Sequence, residues 1–199
     1  MSEEASADDV AWFCRQVRAR SQEHEEAMSV AAQRTWLSIA VGILRQELDS
    51  MVRVIFLLKQ HDPRLRARLL RQAVSGEIWT LPTSNGRSRR VTDRDMVDLA
   101  HTLHDGWIRL VYRFGCSFIH LSNLHDYHSR DPFHGLPQEE REDIARYLRQ
   151  YHGGPVSAEL TFEEIAAYVP KVLGKIASNL ELYLTDLERG LVPQRQSVR

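Results

Sequence analysis

The sequence predicts an all-α protein: a single-domain bundle of about five to seven helices. Three observations carry this. Apolar residues recur at threes and fours along most of the chain, the spacing of a helix with one buried face. Ser or Thr followed three residues later by an acid marks several helix starts. Proline and glycine close the periodic stretches, as at Asp62-Pro63, Ser75-Gly76 and Gly153-Gly154-Pro155. The 199 residues suffice for one domain with its own core, and 43% hydrophobic with 27% charged residues is the composition of a globular protein.

The helices follow in order. Residues 1–6 are expected to be disordered, and residues 7–190 to form the single helical domain. Ser6 with Asp9 resembles an N-cap, and Val10, Phe13, Cys14 and Val17 give a first helix its apolar face. The polar run SQEHEE from Ser21 either breaks that helix or rides on an exposed side of it. The longest helix is expected from about 25 to 60. Its stripe comprises Trp36, Ile39, Ala40, Ile43, Leu44, Leu48, Met51, Val52, Ile55 and Leu58. Pro63 can open a third helix carrying Leu65, Leu69, Leu70 and Val74. Residues 77–91 are the least helical, a small hairpin or a loop, with Pro82, Asn85 and Gly86 as turn formers. Thr92 with Asp95 starts a fourth helix running through Met96, Leu103, Trp107, Val111, Phe114, Phe118 and Leu121. Gly106 and Gly115 each cost about 1 kcal/mol there against alanine, so they imply close packing or a bend near 105. Leu136-Pro137 opens a helix to about 151. Thr161 with Glu164 caps the last one, which Pro170 kinks or divides and which continues to Gly190. Residues 191–199 are expected to be a flexible tail.

Charge and cysteines bound the function. A net charge of -1 means that any nucleic-acid or membrane surface must be local. Cys14 and Cys116 are far apart and form no metal motif, which suits a reducing compartment. The acidic start MSEEASADDV lacks the order of a signal peptide, and Arg45, Gln46, Glu47, Asp49 and Arg53 interrupt the most apolar segment. The expectation is a cytoplasmic protein with no membrane span.

Chemistry-bearing residues concentrate between Trp107 and His134. Arg113 and His120 are seven residues apart, close to two helical turns, so they share a face about 10 Å apart along the axis. An imidazole can move a proton as a ribose 2′-hydroxyl attacks the adjacent phosphate. A guanidinium can hold that phosphate and offset its growing charge. No metal or cofactor is needed, and two copies of the chain complete such a minimal site most easily. The alternative is structural: a surface arginine, and a histidine capping the last carbonyls of its helix.

The segment Arg113-Phe-Gly-Cys-Ser-Phe-Ile-His120 resembles the arginine–histidine motif of the HEPN superfamily, late in a core helix and before a loop. Phe114 stands where that family commonly has a polar residue. The resemblance implies a helical bundle, often a homodimer. It also implies either a metal-independent endoribonuclease of defence or toxin–antitoxin systems, with Arg113 and His120 catalytic, or a non-catalytic bundle. The latter would bind RNA, a partner protein or an antitoxin.

Three further features stand beside the motif. His120, His125, His128 and His134, with Asp126 and Asp131, are numerous enough for a metal site, and His101 and His104 could add to it, but no spacing matches a metal motif. The same loop reads equally as turn chemistry at Asp131-Pro132 and Ser122-Asn123. Otherwise Asn123, His125 and His128, with Ser117 one turn before His120, surround the site and contact substrate. Finally, Arg64, Arg68 and Arg71 share a helix face with Arg66 beside them, and Arg87, Arg89 and Arg90 follow in the 77–91 segment. These could meet RNA phosphates or form a solvated surface. Trp79 and Trp107 could stack on bases, although Trp107 has core spacing.

Overall fold

Two long helices, α1 (Ala7–Gln33) and α2 (Leu37–Leu58), form the frame. The computed structural model describes residues 7–191 apart from 105, 128, 156, 158, 159 and the side chain of 123. The expected disordered start and most of the expected tail lie outside the described residues.

The long second helix expected from about 25 divides at residues 34–36. Trp36 N–H donates to the Ala31 carbonyl at 2.9 Å and Thr35 N–H to that of Ala32 at 3.2 Å. This is the closure of a helix whose next residue is left-handed, and Thr35 takes φ 53°. Because the break carries no glycine, periodicity ran across it. Trp36 and Ile39, assigned to the core stripe, are consequently exposed at the corner. The SQEHEE run does not break α1 but rides on it with Gln22, Glu23, Glu25 and Glu26 exposed, while Ser21 and His24 turn inwards. His24 is buried, with Nδ1 2.6 Å from Oε2 of the fully buried Glu47 on α2, and Ser21 Oγ donates to the other Glu47 oxygen.

Of the 22 residues of α2, 15 are buried, so this helix is the centre of the bundle. Helix α3 (Pro63–Val74) starts where Asp62 accepts the Arg64 N–H at 2.9 Å. The least helical segment is a hairpin, β1 (Thr80–Pro82) antiparallel to β2 (Ser88–Arg90), with Thr80 opposite Arg90. Trp79 is buried and stacks on Phe56 with ring centroids 5.8 Å apart, so it is core rather than a stacking platform.

The expected fourth helix is two: α4 (Asp93–His101), begun by the Thr92/Asp95 capping box, and α5 (Trp107–Ile119). The bend expected near 105 is there, with Gly106 at φ 87°. The second glycine, Gly115, lets α5 approach α2, where an added Cβ would stand 2.7 Å from Arg45 Cβ. Leu121, expected in the stripe, lies beyond the helix and is 93% exposed.

Two 3₁₀ turns, Asn123–His125 and Pro132–Gly135, shape the following loop. Helix α6 (Gln138–His152) ends at the left-handed Gly153. The Thr161/Glu164 capping box begins the one-turn α7 (Phe162–Ala166), and Pro170 lies in the first turn of α8 (Val169–Glu188). Pro170 therefore divides rather than kinks. Among the described residues, seven helices of nine or more residues and the short α7 make an all-α, single-domain bundle. Helix α8 packs most extensively on α2, and α1 packs on both. Among the described residues, no helix is long and apolar enough to cross a membrane.

Candidate functional site

Helix α5 presents Arg113 and His120 differently. Arg113 projects with 60% of its side chain exposed and pairs through Nη2 with Oε2 of the nearly buried Glu140 on α6, at 3.1 Å. His120 follows the last helical residue with extended dihedrals, φ −97° and ψ 142°. It is exposed, and among the described residues nothing bonds to its ring. Exposed Ile119 and Leu121 flank it.

The capping role that a structural reading gives His120 belongs to His125. Its Nδ1 receives the Ser122 N–H at 3.2 Å, which leaves the Nε2 proton to reach the Phe118 carbonyl at 3.2 Å. Ser117 Oγ donates to the Arg113 carbonyl at 3.1 Å, and Ser122 Oγ donates to that of Ser117 at 3.0 Å. The final carbonyls of α5 are thus held by side chains from its last turn and the loop. Asn123 begins the first 3₁₀ turn, while His128 lies outside the described residues. Asp131 accepts N–H groups from Phe133 at 2.8 Å and Phe162 at 3.1 Å, tying the loop to α7. Among the described residues, no three His, Cys, Asp or Glu side chains gather closely enough to hold a metal ion.

Arg113 and His120 do not line a common cavity. Arg113 lines a cleft of about 340 Å³ between the α4–α5 corner and α6, together with His101, Trp107, Arg109, Arg146 and Tyr151. Each arginine of this cleft is steadied by a carboxylate: Arg109 by Asp98 and Arg146 by Asp143, both at 2.7 Å, and Arg113 by Glu140. A guanidinium has five N–H donors, so one carboxylate leaves donors for an incoming anion. His101 has a lowered pKa because burial disfavours its charge and Arg109 repels it, so its ring is neutral near pH 7. Its Nδ1 is buried without a partner among the described residues. Roomier clefts lie elsewhere, about 800 Å³ between the α1–α2 corner and α7 and about 840 Å³ along α6, but neither contains Arg113 or His120.

Arg109, Arg146 and His101 complete the arginine cleft beyond the motif. The four-residue spacing of Arg109 and Arg113 on one face was readable. The placement of Arg146 depends on α6 folding against α5, which no local pattern encodes. No protein-family model matches the chain, and no curated protein and no solved structure shows significant similarity to it.

Proposed function

We propose that this bundle binds RNA non-catalytically, with Arg113 holding a phosphate in the α5–α6 cleft. One observation carries the reading: three guanidinium groups from two helices converge on one space beside aromatic rings, while His120 lies outside it. Guanidinium groups match the geometry of phosphate oxygens, and the half-buried ring of Tyr151 at the cleft offers a base a stacking face. The resemblance of the Arg113–His120 segment to the HEPN motif agrees with an RNA ligand.

A second reading, a metal-independent endoribonuclease, draws on the exposed and unengaged ring of His120. Ile119 and Leu121 beside it offer apolar surface for a second copy, which would bring a second imidazole to the site.

One assay separates the readings: labelled RNA incubated with the protein in chelator, followed for both binding and cleavage. The binding reading expects RNA to be bound intact and Arg113→Ala to weaken binding about tenfold, as loss of a charge-assisted contact does. Cleavage that both Arg113→Ala and His120→Ala abolish, with helicity preserved, would instead establish the nuclease.

A further inference from the structure

We propose that the face made by α3 and the hairpin binds the phosphate backbone of a nucleic-acid strand, as a surface separate from the Arg113 cleft. Residues 59–90 hold eight Lys and Arg against two acidic residues, a net charge of +6, which leaves −7 for the rest of a chain whose total is −1. Several arginines elsewhere are matched with carboxylates: Arg18 with Glu181 and Glu188, Arg53 with Asp49 and Asp93, and Arg109 with Asp98. Here they are not. Asp62 is occupied as the N-cap of α3. Arg66 and Arg68 are anchored by backbone carbonyls, of Gln60 at 2.8 Å and Thr80 at 2.9 Å.

These carbonyl contacts also build the face. Arg68 and Gln72 of α3 grip Thr80, and Thr80 stands opposite Arg90 in the hairpin register. The hairpin is therefore clamped to α3 with Arg90 on the clamped side of the ladder. Arg71 follows Arg68 by one helical turn, and Arg87 closes the hairpin loop. Arg71, Arg87 and Arg90 are exposed and have no carboxylate partner among the described residues. Like charges gathered on a rigid face repel one another, and a polyanion relieves this while releasing its counterions. With Trp79 buried, the face offers charge without a stacking platform, so it suits backbone phosphates rather than bases.

The test is fluorescence anisotropy with labelled 20-nucleotide single strands of RNA and of DNA, in chelator, at about 50–200 mM NaCl. Wild type is expected to bind with affinity falling steeply as salt rises. The triple variant Arg71→Ala/Arg87→Ala/Arg90→Ala should bind at least tenfold more weakly. Its log–log salt slope should be shallower by about 2, since single strands give roughly 0.7 per phosphate contact. Lysine at the same three positions should keep the binding. Equal affinity for the two strands assigns the contact to phosphate alone, and a preference for RNA adds a 2′-hydroxyl contact. Arg113→Ala reports on the cleft separately and should leave this part of the slope intact. The proposal is overturned if the alanine variant binds and responds to salt as wild type does, or if wild type binds no strand at 50 mM. Binding to phosphatidylserine vesicles without binding to strands also overturns it.

Discussion

Gly115 is where α5 comes nearest to α2. Gly115→Ala would gain about 1 kcal/mol of helix propensity. Its new methyl would meet Arg45 Cβ at 2.7 Å, an atom fixed to the backbone that cannot swing aside, and overpacking of this kind costs about 1–3 kcal/mol. The repulsion wins, so thermal unfolding followed by circular dichroism should show a Tm lower by several degrees. A raised Tm would mean that α2 and α5 can separate freely. Both α5-region glycines were flagged in the sequence by their cost, and the structure supplies a different reason for each: left-handed dihedrals at Gly106, close approach at Gly115. Thr35 was not readable, because a threonine rarely adopts positive φ and nothing local distinguishes this one. Residue type and spacing singled out Arg113, but its pairing with Glu140 and its place in a cleft with Arg146 depend on α6 and were not readable. The burial that keeps His101 neutral in the same cleft was not readable either, since it comes from tertiary packing.

Elements were most readable where their ends carry side-chain chemistry. The capping boxes at Thr92/Asp95 and Thr161/Glu164 and the opening of α3 by Pro63 appear as read, and Asp62 adds an N-cap that was not. The loop after α5 was half readable. Asp131-Pro132 was recognisable as turn chemistry, but the hydrogen bond that Asp131 accepts from the N–H of Phe162, 31 residues on, joins two elements that sequence keeps apart. Asp131→Ala would leave the N–H groups of Phe133 and Phe162 without their acceptor. A loss of about 1–3 kcal/mol is expected in urea unfolding, because donors stripped of a partner carry their desolvation cost. Trypsin should also cut after Arg130 faster than in wild type. Unchanged stability and digestion would show that the loop is held by Phe118, Tyr127 and Phe162 packing instead.

Acid should destabilise the whole molecule in two stages. The pKa values of His101 and His152 are lowered, in both cases chiefly by burial. Their stabilising effect is complete above about pH 6.5, where the unfolded chain's imidazoles are also neutral. It is lost as pH falls below that, because the unfolded chain then takes up protons that the folded one resists. Asp95, bonded by Thr92 and Arg89, and Glu188, bonded by Arg18, have lowered carboxyl pKa values. Their contribution holds above about pH 4 and disappears as pH falls through their folded values. The urea midpoint should therefore be level from pH 8 to 7, decline towards pH 5, and decline again below pH 4. His101→Gln should flatten the first decline, and a midpoint unchanged between pH 8 and 5 would contradict this account. At this scale the sequence revealed the bundle but not its centre, since a helix enclosed on most sides and one with a single buried stripe share the same period. That enclosure has a consequence for synthesis. Helix α2 is made early, yet its principal cover, α8, comes about 130 residues later. At roughly 5–20 residues per second, a nascent chain carries the apolar flank of α2 uncovered for about 7–26 s. For that interval the growing polypeptide presents the kind of surface that chaperones hold, and the fold can close only when its last helix emerges.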